Sequence, residues 1–501
     1  MHARLVLPHQ LFEEQRTAAA DLVVLVEPDL FLRQYAFHTH KLVLHRASMR
    51  RFEAELRQAG RATAYVESRA DRGTDAQLTE LLRERGVTAL SWCDVVDDWL
   101  DRDLRRVAEE VGADLVVEET PAFLTSDADV RAQLAPRRGA RPRMATFYAW
   151  QRRRLDVLVD DGEPVGGRWS FDDENREPYP KDGLDVPPLP RLQRDDHVRE
   201  AVAWVAAEFP DNPGDPEEFR WPTTRSQALR WLERFVEDRL RRFGPHEDAI
   251  AADEPFLLHS ALSPVLNVGL LSPREVLDAV LDADDVPLPS LEGFVRQLIG
   301  WREYVRGVYV TQGRRLRTAN RLHLTRELGP GWWDGSTGLH PVDVVVRRVL
   351  AHGYAHHIER LMVLGNAMLL LRTDPDEVHE WFMALFVDAY DWVMVPNVYA
   401  MSQFSAAEAV TTKPYVSGSN YVLRMSDFAK RDGEEGWADA WDALYWQFVD
   451  DHRDGFAANP RTAMAVRSLE RMKGARRREL AEVAERWLGG AVPGVAPRER
   501  S

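Results

Sequence analysis

The chain has 501 residues, which is too many for one ordinary hydrophobic core, so two or three domains are expected. Its hydrophobic fraction of 45% and charged fraction of 29% are ordinary for a folded protein, and no apolar run approaches the roughly 20 residues that cross a bilayer. The net charge of −16 argues against nucleic acid as a partner, because phosphate binding needs a positive surface, but the basic stretches Lys41–Arg51, Arg137–Arg154 and Arg471–Arg478 leave a basic groove on an acidic protein possible.

Residues 1–135 alternate short apolar runs with amphipathic stretches. The predicted strands are Leu5–Leu7, Leu22–Val26, Ala64–Val66, Ala89–Trp92 and Asp114–Glu118. The predicted helices between them are Lys41–Ala59, Asp75–Arg85 and Val95–Val111. This alternation predicts an α/β domain on a parallel, Rossmann-like sheet, with any ligand beyond the carboxyl ends of the strands. No GxGxxG or GxxxxGK[ST] sequence follows a strand, so neither a dinucleotide site of that type nor a P-loop is expected.

The rest of the chain has a different character. From 136 to 195 the periodicity fades between basic and proline-rich segments, which predicts an interdomain linker. Residues 196–490 have helical patterns throughout and predict an all-α domain large enough to enclose a cofactor, while 491–501 is a predicted flexible tail. The predicted helices are His197–Glu208, Ser226–Phe243, Pro273–Asp282, Leu291–Val308, Val342–Leu371, Pro375–Val387 and Trp437–Asp451.

Two features of the helical part point to chemistry. The segment from His259 to Ser272 carries hydroxyl side chains at predicted helix starts, where free N–H groups suit a phosphate, although two helix caps in tandem explain the same residues. His356 and His357 lie about 100° apart on a predicted helix, so only one of them faces a given cavity. Histidine suits proton transfer because its ordinary pKa lies near neutrality. His352 and His356 could begin a metal site, but no third ligand is evident, so none is expected.

Several segments, in this order along the chain, resemble the photolyase/cryptochrome family, and within it the bacterial branch of prokaryotic (6-4) photolyases. The resemblance covers nearly the whole chain, from Leu7 to Trp446. The segments that carry it are Pro164–Asp172 (PVGGRWSFD), His259–Ser272, Phe294–Tyr304 (FVRQLIGWREY), Tyr354–Met362 (YAHHIERLM), Trp392–Asn397 (WVMVPN), Met401–Phe404 (MSQF) and Thr412–Tyr421 (TKPYVSGSNY).

The resemblance implies an FAD-binding helical domain behind an antenna domain. It also implies light-dependent repair of (6-4) photoproducts in UV-damaged DNA, by electron transfer from photoexcited reduced FAD. The implied FAD-binding residues are Ser260, Leu262, Ser263, Leu266, Gln297, Trp301, Arg302, Asp388, Asp391, Met394 and Asn397. The implied lesion-site residues are His357 as the acid, His356 beside it, Leu361, Met401, Tyr415, Tyr421, and Lys41 as a phosphate contact from the first domain.

Two further groups of residues follow from the resemblance. A 6,7-dimethyl-8-ribityllumazine antenna would sit among Gln10, Leu11, Phe12, Glu27 and Tyr35, although His9 replaces an aspartate of some relatives. Trp333 and Trp381 match the tryptophans that relay electrons to the flavin, with ordinary packing as the alternative reading. Phe382 stands where a relative has a tyrosine, so that radical site is absent.

The chain departs from this branch at the [4Fe–4S] cluster. Its one cysteine, Cys93, excludes disulfides within the chain and any cluster bound by it alone, because such clusters take about four ligands, mostly thiolates. The four cluster cysteines of the branch fall near Pro341, Ala429, Asp432 and within Trp437–Trp441. Apolar packing with Trp437 and Trp441 is expected to replace the cluster, unless that corner is simply looser.

Three functions remain open from the sequence. The (6-4) photolyase leads because the histidine pair, Lys41, Tyr415 and Tyr421 are present. A cryptochrome-like blue-light photoreceptor without repair activity is the runner-up, and cyclobutane-dimer repair shares the same fold. A cytoplasmic location is expected, because Met1–Leu7 lacks the features of a signal peptide. The expected protein is a monomer, and its expected partner is UV-damaged DNA.

Overall fold

The computed structural model describes residues 1–135, 142–406, 409–411, 413–433 and 436–490. The first part contains a five-stranded, fully parallel sheet in the order β3-β2-β1-β4-β5. The strands are β1 (His2–Val6), β2 (Leu22–Val26), β3 (Thr63–Val66), β4 (Ala89–Cys93) and β5 (Asp114–Glu118). β2 and β5 coincide with the predicted strands, and β3 and β4 are each one residue longer, at Thr63 and at Cys93. β1 spans His2–Val6 rather than Leu5–Leu7; its earlier start was not predicted because the charged Arg4 is buried inside it.

The position of β1 between β2 and β4 brings the loops after β1 and β4 together. The Gln10 side chain donates to the Cys93 carbonyl over 2.7 Å, and a His9 ring nitrogen lies 3.1 Å from the Val95 carbonyl. A ligand of an open α/β sheet would be expected at this edge, but in the structure these loops bond to each other.

Helices cover the sheet and connect it to the rest of the molecule. Those of the first part are Glu14–Thr17, Asp29–Leu32, Thr39–Gln58, Thr74–Glu84, Asp98–Val111 and Asp127–Leu134. The helix Thr39–Gln58 lies at the domain junction: at its start, the His38 N–H donates to the Ala384 carbonyl over 2.8 Å. This position explains why polar side chains along its first turns are buried.

The connecting segment holds more structure than its sequence predicts. It contains the helix Met144–Leu155, a hairpin of β6 (Val159–Asp160) and β7 (Glu163–Pro164), and the short 3₁₀ turns Val165–Gly167 and Asp172–Glu174. The helix escaped prediction because two of its buried residues are polar. Gln151 donates to the Thr125 hydroxyl over 2.8 Å, and Arg152 donates to the Trp169 carbonyl over 3.0 Å. Residues 136–141 of the predicted linker lie outside the described residues.

The remainder, through residue 490, is helical and encloses the larger part of the core. Its α-helices are Asp196–Glu208, Arg225–Asp238, Leu240–Phe243, Ser263–Asn267, Pro273–Leu281, Leu288–Val295, Glu303–Arg317, His340–His352, Asn366–Leu370, Pro375–Leu385, Asp391–Val395, Ser419–Met425, Trp437–Asp451, Arg453–Ala458, Ala463–Arg471 and Gly474–Leu488. Short 3₁₀ turns occupy Pro216–Glu218 and Pro330–Trp332. No helix in the described ranges is both long and apolar enough to cross a bilayer. The predicted tail 491–501 lies outside these ranges.

Three π-helical segments interrupt this pattern at Arg296–Arg302, Glu359–Gly365 and Pro396–Ser402. A π turn widens the helix by one residue and turns side chains away from the regular face, and such turns often mark functional sites. Each of the three contributes residues to the same internal cavity.

The predicted helix Val342–Leu371 is in fact broken. It ends at His352, and Gly353 adopts a left-handed conformation with a φ of 64°. Tyr354, Ala355 and His356 are not helical, and helix resumes at His357. His356 thus belongs to the break and His357 begins the next helix. The expectation that these two histidines share one regular helix is therefore wrong.

The break gives a first testable prediction. An alanine Cβ at Gly353 would lie 2.6 Å from Val387 Cγ1, whereas Gly112, also left-handed at a helix end, has no atom within 4 Å of such a Cβ. Both variants carry the strain of a left-handed backbone at a residue with a side chain, but only Gly353→Ala adds a steric clash. Gly353→Ala should therefore destabilise the protein by about 1–3 kcal/mol more than Gly112→Ala. Urea denaturation of both variants measures the difference; equal losses would contradict the packing argument.

The corner where the family's cluster cysteines would lie is filled by side chains. Trp437 and Trp441 are fully buried, with ring centroids 5.7 Å apart and planes at 83°. The Trp437 indole N–H donates to the Ala429 carbonyl over 2.9 Å, and the Ala429 N–H donates to the Asp432 carboxylate over 2.6 Å. Among the described residues this corner is packed by tryptophans, while Cys93 lies in β4 of the first domain.

Candidate cofactor site

A cavity of about 310 Å³ lies inside the helical domain. Its wall is formed by residues from four stretches of the chain, at 243–267, 294–305, 354–361 and 382–402. The wall is mainly apolar and carries a few polar and charged groups, which is the usual make-up of a site for a small molecule or cofactor.

The fold brings nearly all of the predicted FAD-binding residues to this cavity. Those that line it are Ser260, Leu262, Ser263, Leu266, Gln297, Trp301, Arg302, Asp388, Met394 and Asn397. They come from separate parts of the sequence, so only the folded chain joins them. Their role in binding FAD stays a prediction.

Asp388 is the centre of the polar network in the wall. Its carboxylate accepts two hydrogen bonds from Arg360, over 2.9 and 3.0 Å, and a third from the Ser263 hydroxyl over 2.5 Å. Its carbonyl accepts from the Asn267 amide over 2.8 Å. A bidentate arginine–carboxylate pair fixes both groups in one plane, so Asp388 ties three wall stretches into a rigid unit.

Sequence reasoning missed Arg360 and Asn267, although both belong to segments already singled out. An arginine directly before the apolar run that starts at Leu361 and Met362 is the signal that could have revealed Arg360, because such a cation must be paired when buried. Its partner, 28 residues further on, is not evident from the sequence.

Arg302 supplies a second cation to the wall. It donates to the Asn267 side chain over 2.6 Å and lies 4.9 Å from the ring centres of both Phe123 and Trp392. Burial lowers its pKa to about 10, so it stays charged at neutral pH. Its Nε has no hydrogen-bond partner among the described residues, nor do Glu247 Oε2 and His259 Nε2. Donor and acceptor atoms of the wall that lack a hydrogen-bond partner in the described part of the chain fit a ligand with both donors and acceptors, such as FAD.

Asp391 does not belong to this wall, so its prediction as a cofactor residue is corrected. Its carboxylate pairs with Arg317, accepts from the Tyr309 hydroxyl over 2.7 Å, and lies 3.5 Å from His379. These partners lie outside the cavity lining and hold the side chain among themselves. Trp392, the next residue, faces the cavity in its place.

The two predicted histidines have different surroundings. His357 lines the cavity and is exposed to it, while protein encloses it on the other sides. This enclosure lowers the pKa of His357 to about 4, and the nearby Arg360 cation contributes. The ring is therefore neutral at pH 7, unlike the near-neutral titration expected from the sequence.

His356 lies behind the wall, so its prediction as a residue facing the lesion is corrected. Its ring stacks on that of His259, with centroids 4.4 Å apart and planes at 10°, and His259 is the one that lines the cavity. Burial and the neighbouring His259 lower the pKa of His356 well below its ordinary value. In the described part of the chain, no three His, Cys, Asp or Glu side chains are grouped to hold a metal ion.

Comparison with known sequences covers both halves of the chain. Residues 4–221 match the family described as deoxyribodipyrimidine photo-lyase-related protein, and 294–436 match the FAD binding domain of DNA photolyase. A (6-4) photolyase of Agrobacterium fabrum is 35% identical over 482 residues, which are 93% of this chain and 94% of that protein. The chain belongs to the photolyase/cryptochrome family. Three of the four wall stretches lie within the residues that match the family's FAD-binding domain.

Solved structures of the family share the fold. A bacterial class III photolyase from Agrobacterium tumefaciens superposes with a TM-score of 0.56 at 17% identity and covers 97% of both chains. A cryptochrome from Synechocystis superposes with a TM-score of 0.55 at 14% identity, over 96% of this chain and 93% of that one. At these identities the likeness shows the photolyase fold, an α/β domain followed by a helical domain.

The other lesion-site residues expected of a photolyase divide into two groups. Leu361 and Met401 line the cavity beside His357. Tyr415 and Tyr421 are half-buried outside the wall, near Asp248, whose pKa burial raises to about 6. They lie on a segment that the helix Trp437–Asp451 anchors, because the Trp441 indole donates to the Ser417 carbonyl over 3.0 Å.

The predicted role of Lys41 as a phosphate contact is corrected, because the side chain is buried and cannot reach a DNA phosphate. Its side chain is 1% exposed at the domain junction, and its ammonium donates to the Ala389 and Met383 carbonyls over 2.8 and 3.4 Å. The ammonium also lies 4.4 Å from the centre of the Phe37 ring. The helical domain covers this end of the helix Thr39–Gln58 and makes Lys41 a bridge between the two domains.

The buried ammonium gives a second prediction. Burial lowers the pKa of Lys41 to about 7, from an ordinary 10.5. Between these values the unfolded chain binds the extra proton, so this residue's contribution to stability grows as pH rises. The free energy of unfolding of the wild type relative to Lys41→Met should increase by up to about 1.4 kcal/mol per pH unit from about pH 7 to 10. Urea denaturation across this range tests it, with the exposed Lys181→Met as control; a flat difference would contradict it.

The residues predicted for a photolyase antenna do not gather around the cavity described above. Glu27 is fully buried, pairs with Arg46, and accepts from the Tyr65 hydroxyl over 2.5 Å. Leu11 and Phe12 pack against the helical domain at Val268 and Gly269. Tyr35 and Gln10 lie elsewhere in the first domain, Gln10 bonded to Cys93 as described above. The lumazine site stays a prediction.

The two predicted relay tryptophans differ in exposure. The Trp333 side chain is 42% exposed, and Trp381 is fully buried. Trp381 does not line the cavity; its ring lies behind Phe382, which does.

Proposed function

We propose that the protein is a light-dependent (6-4) photolyase, which binds UV-damaged DNA and restores the linked pyrimidines with an electron from reduced FAD. The observation that carries the proposal is the position of His357. It lies on the wall of the cavity in the FAD-binding domain, together with the Asp388–Arg360 pair and the apolar side chains Leu361 and Met401. The 35% identity to a protein named a (6-4) photolyase supports this class of lesion.

The residues that would hold FAD are those of the polar wall. Arg302 suits an anionic or electron-rich part of the cofactor, and Gln297 and Asn397 offer amide groups. When bound, FAD supplies the light-driven electron transfer. The Asp388–Arg360 unit would keep its geometry during the reaction, because each group already satisfies the other.

His357 would hold the proton that a (6-4) lesion needs. With a pKa of about 4, the His357 ring is neutral at pH 7. Negative charge brought into the cavity favours the imidazolium form and raises this pKa. Binding an anionic cofactor and DNA would therefore load the proton onto His357, which can then donate it to the lesion.

Apolar and aromatic groups would complete the site. Leu361 and Met401 would exclude water from the proton and electron transfers. Tyr415 and Tyr421 offer rings on which an extruded base could stack.

A second chromophore and the missing cluster belong to the same proposal. The lumazine antenna is supported by the family resemblance, and the absence of a [4Fe–4S] cluster by the single cysteine. The absorption spectrum of the purified protein tests both. We expect flavin bands without broad iron–sulfur absorption, and an added lumazine band if the antenna binds.

The function is tested with two duplexes that carry one (6-4) photoproduct or one cyclobutane dimer at the same position. The reduced protein is incubated with each, in blue light and in darkness. We expect light-dependent restoration of the (6-4) duplex. Restoration of the cyclobutane dimer alone would reassign the lesion, and restoration of neither would favour a photoreceptor.

A further inference from the structure

The three basic stretches of the sequence have different positions in the fold. In Lys41–Arg51, Lys41 and Arg46 are 1% and 3% exposed, so this stretch offers little charge to a partner. Arg137–Arg154 lies partly outside the described residues. Arg471–Arg478 lies on the surface, where the last helix of the chain begins, and presents its charge to solvent.

This surface charge extends back along the chain to Arg453. Between Arg453 and Arg478 there are eight arginines and lysines but two acidic residues, a net charge of +6 in a chain of net charge −16. The nearby Asp450 pairs with the half-buried Arg453 and Arg477. Five further cations of this stretch are exposed and have no ion pair among the described residues. They form the C-terminal basic surface, which consists of Arg461, Arg467, Arg471, Lys473 and Arg478.

The helix Ala463–Arg471 shows how this surface is arranged. Val466 and Leu469 are buried in the core, whereas Arg467 and Arg471, four residues apart, share the outer face. Like charges at this spacing on a helix repel each other. The acid of this helix, Glu470, does not relieve the repulsion, since it lies 3.8 Å from Arg453. A ligand that supplies negative charge would relieve it.

The basic surface begins beside the tyrosines expected at the lesion. Lys413, two residues before Tyr415, is exposed and has no ion pair in the part of the chain that the structure describes. Partial burial, and after it the nearby cations Arg461 and Arg176, lower the pKa of Lys413. Arg461 is therefore close enough to Lys413 for their charges to interact, which joins the basic surface to the lesion segment.

One helix, Trp437–Asp451, holds both parts in place. Its Trp441 anchors the segment of the two tyrosines, as described above. Its Ala443 packs with Leu480 and Ala484 of the last helix in one apolar cluster. The helix whose tryptophans fill the cluster corner thus fixes the basic surface relative to the lesion segment.

We propose that the C-terminal basic surface binds the phosphates of duplex DNA on one side of the lesion. The proposal rests on the proposed function for the presence of a lesion, but the surface itself recognises only the phosphate backbone, which carries no sequence information. Phosphate contacts from arginine and lysine release counterions, so the binding depends steeply on salt. The concentrated charge of this surface is what allows a protein of net charge −16 to hold DNA.

The test uses the triple variant Arg467→Gln, Arg471→Gln and Lys473→Gln. Its binding to a duplex with one (6-4) photoproduct and long flanks is measured in darkness at several salt concentrations, beside the wild type. We expect weaker binding and a plot of log affinity against log salt that is less steep by about 2–3, because each phosphate contact contributes about 0.9 to the slope. A wild-type slope in the triple variant would overturn the proposal. The three side chains are exposed, so stability in urea should not change.

The matched control removes the same charge elsewhere. The variant Arg57→Gln, Arg83→Gln and Arg85→Gln changes three exposed cations of the first domain and should keep the wild-type slope. An equal decrease in this control would assign the effect to net charge and overturn the proposal. Removing the flank on one side of the lesion should weaken the wild type but not the triple variant; equal weakening of both proteins from either side would contradict it.

Two outcomes separate this proposal from the proposed function. Light-dependent repair by the wild type, together with an unchanged slope in the triple variant, would refute the basic surface alone. A reduced slope in the variant, with no repair of any lesion by the wild type, would leave the surface standing and refute the photolyase. Vesicles of anionic phospholipid are the alternative probe: tighter binding to them than to DNA, lost in the triple variant, would assign the surface to a membrane and overturn the proposal.

Discussion

Replacing His357 with asparagine is expected to lower (6-4) repair by at least about 100-fold, since a positioned acid contributes about 10²–10⁴ to a rate. His357 lines the cavity together with Leu361 and Arg360, and unlike His259, which also lines it, its residue is exposed. Asparagine keeps much of the shape and hydrogen-bonding ability but carries no titratable proton. FAD content and light-driven reduction of the protein should not change. The measurement is single-turnover repair of a (6-4) duplex by protein reduced before illumination.

The pH dependence and a surface variant serve as controls. Repair by the wild type should fall as pH rises through the pKa of His357 in the DNA complex, because only the protonated ring can donate. The variant should show a low rate without that decline. His323→Asn is the matched control, since His323 is exposed and its φ of 53° suits asparagine. Equal repair by His357→Asn and wild type would refute the acid role.

Replacing Asp388 with asparagine is expected to destabilise the protein by about 3–5 kcal/mol and to abolish FAD retention. The substitution leaves the Arg360 guanidinium, whose side chain is only 14% exposed, without its opposite charge. It also weakens the bond from Ser263, which joins a second wall stretch to the pair. Urea denaturation and flavin content after gel filtration measure the two effects.

A double variant and an exposed ion pair set the scale. The double variant Arg360→Met/Asp388→Asn removes both charges. Its loss of stability should be smaller than the sum of the losses of the two single variants, because the double variant leaves no unpaired ion. Glu479→Gln, which breaks the exposed pair with Arg476, should cost no more than about 1 kcal/mol. Equal losses from Asp388→Asn and Glu479→Gln would contradict the role of the buried network.

Local sequence patterns predicted the helices and strands that are apolar throughout, or whose polar residues bond to residues close by in the sequence. Strands such as β2 are short apolar runs and were located from the sequence. The start of β1 was missed because Arg4 finds its partner, Glu118, across the sheet. The helix Met144–Leu155 was missed because Gln151 and Arg152 bond to distant residues. The break at Gly353 was missed because it is set by a left-handed backbone within an otherwise helical pattern.

The site shows the same division. The segments that resemble the family contain most of the residues that line the cavity, because each segment was taken as a whole rather than residue by residue. Polar side chains with a choice of partners were not predictable one by one. Asp391 turns to Arg317, and Lys41 turns to backbone carbonyls of the other domain. Arg360 matters through its contact with Asp388, which only the folded chain reveals.

The central claim is that the cavity holds a flavin whose light-driven electron repairs a (6-4) photoproduct beside His357. The most direct measurement is the amount of (6-4) duplex converted to duplex with intact adjacent pyrimidines, per protein molecule and per unit of blue light, by chemically reduced protein. The account predicts restored pyrimidines that increase with light dose, exceed one per protein molecule, and are absent in darkness. Protein with its full complement of reduced FAD that leaves the lesion unchanged under light would contradict it.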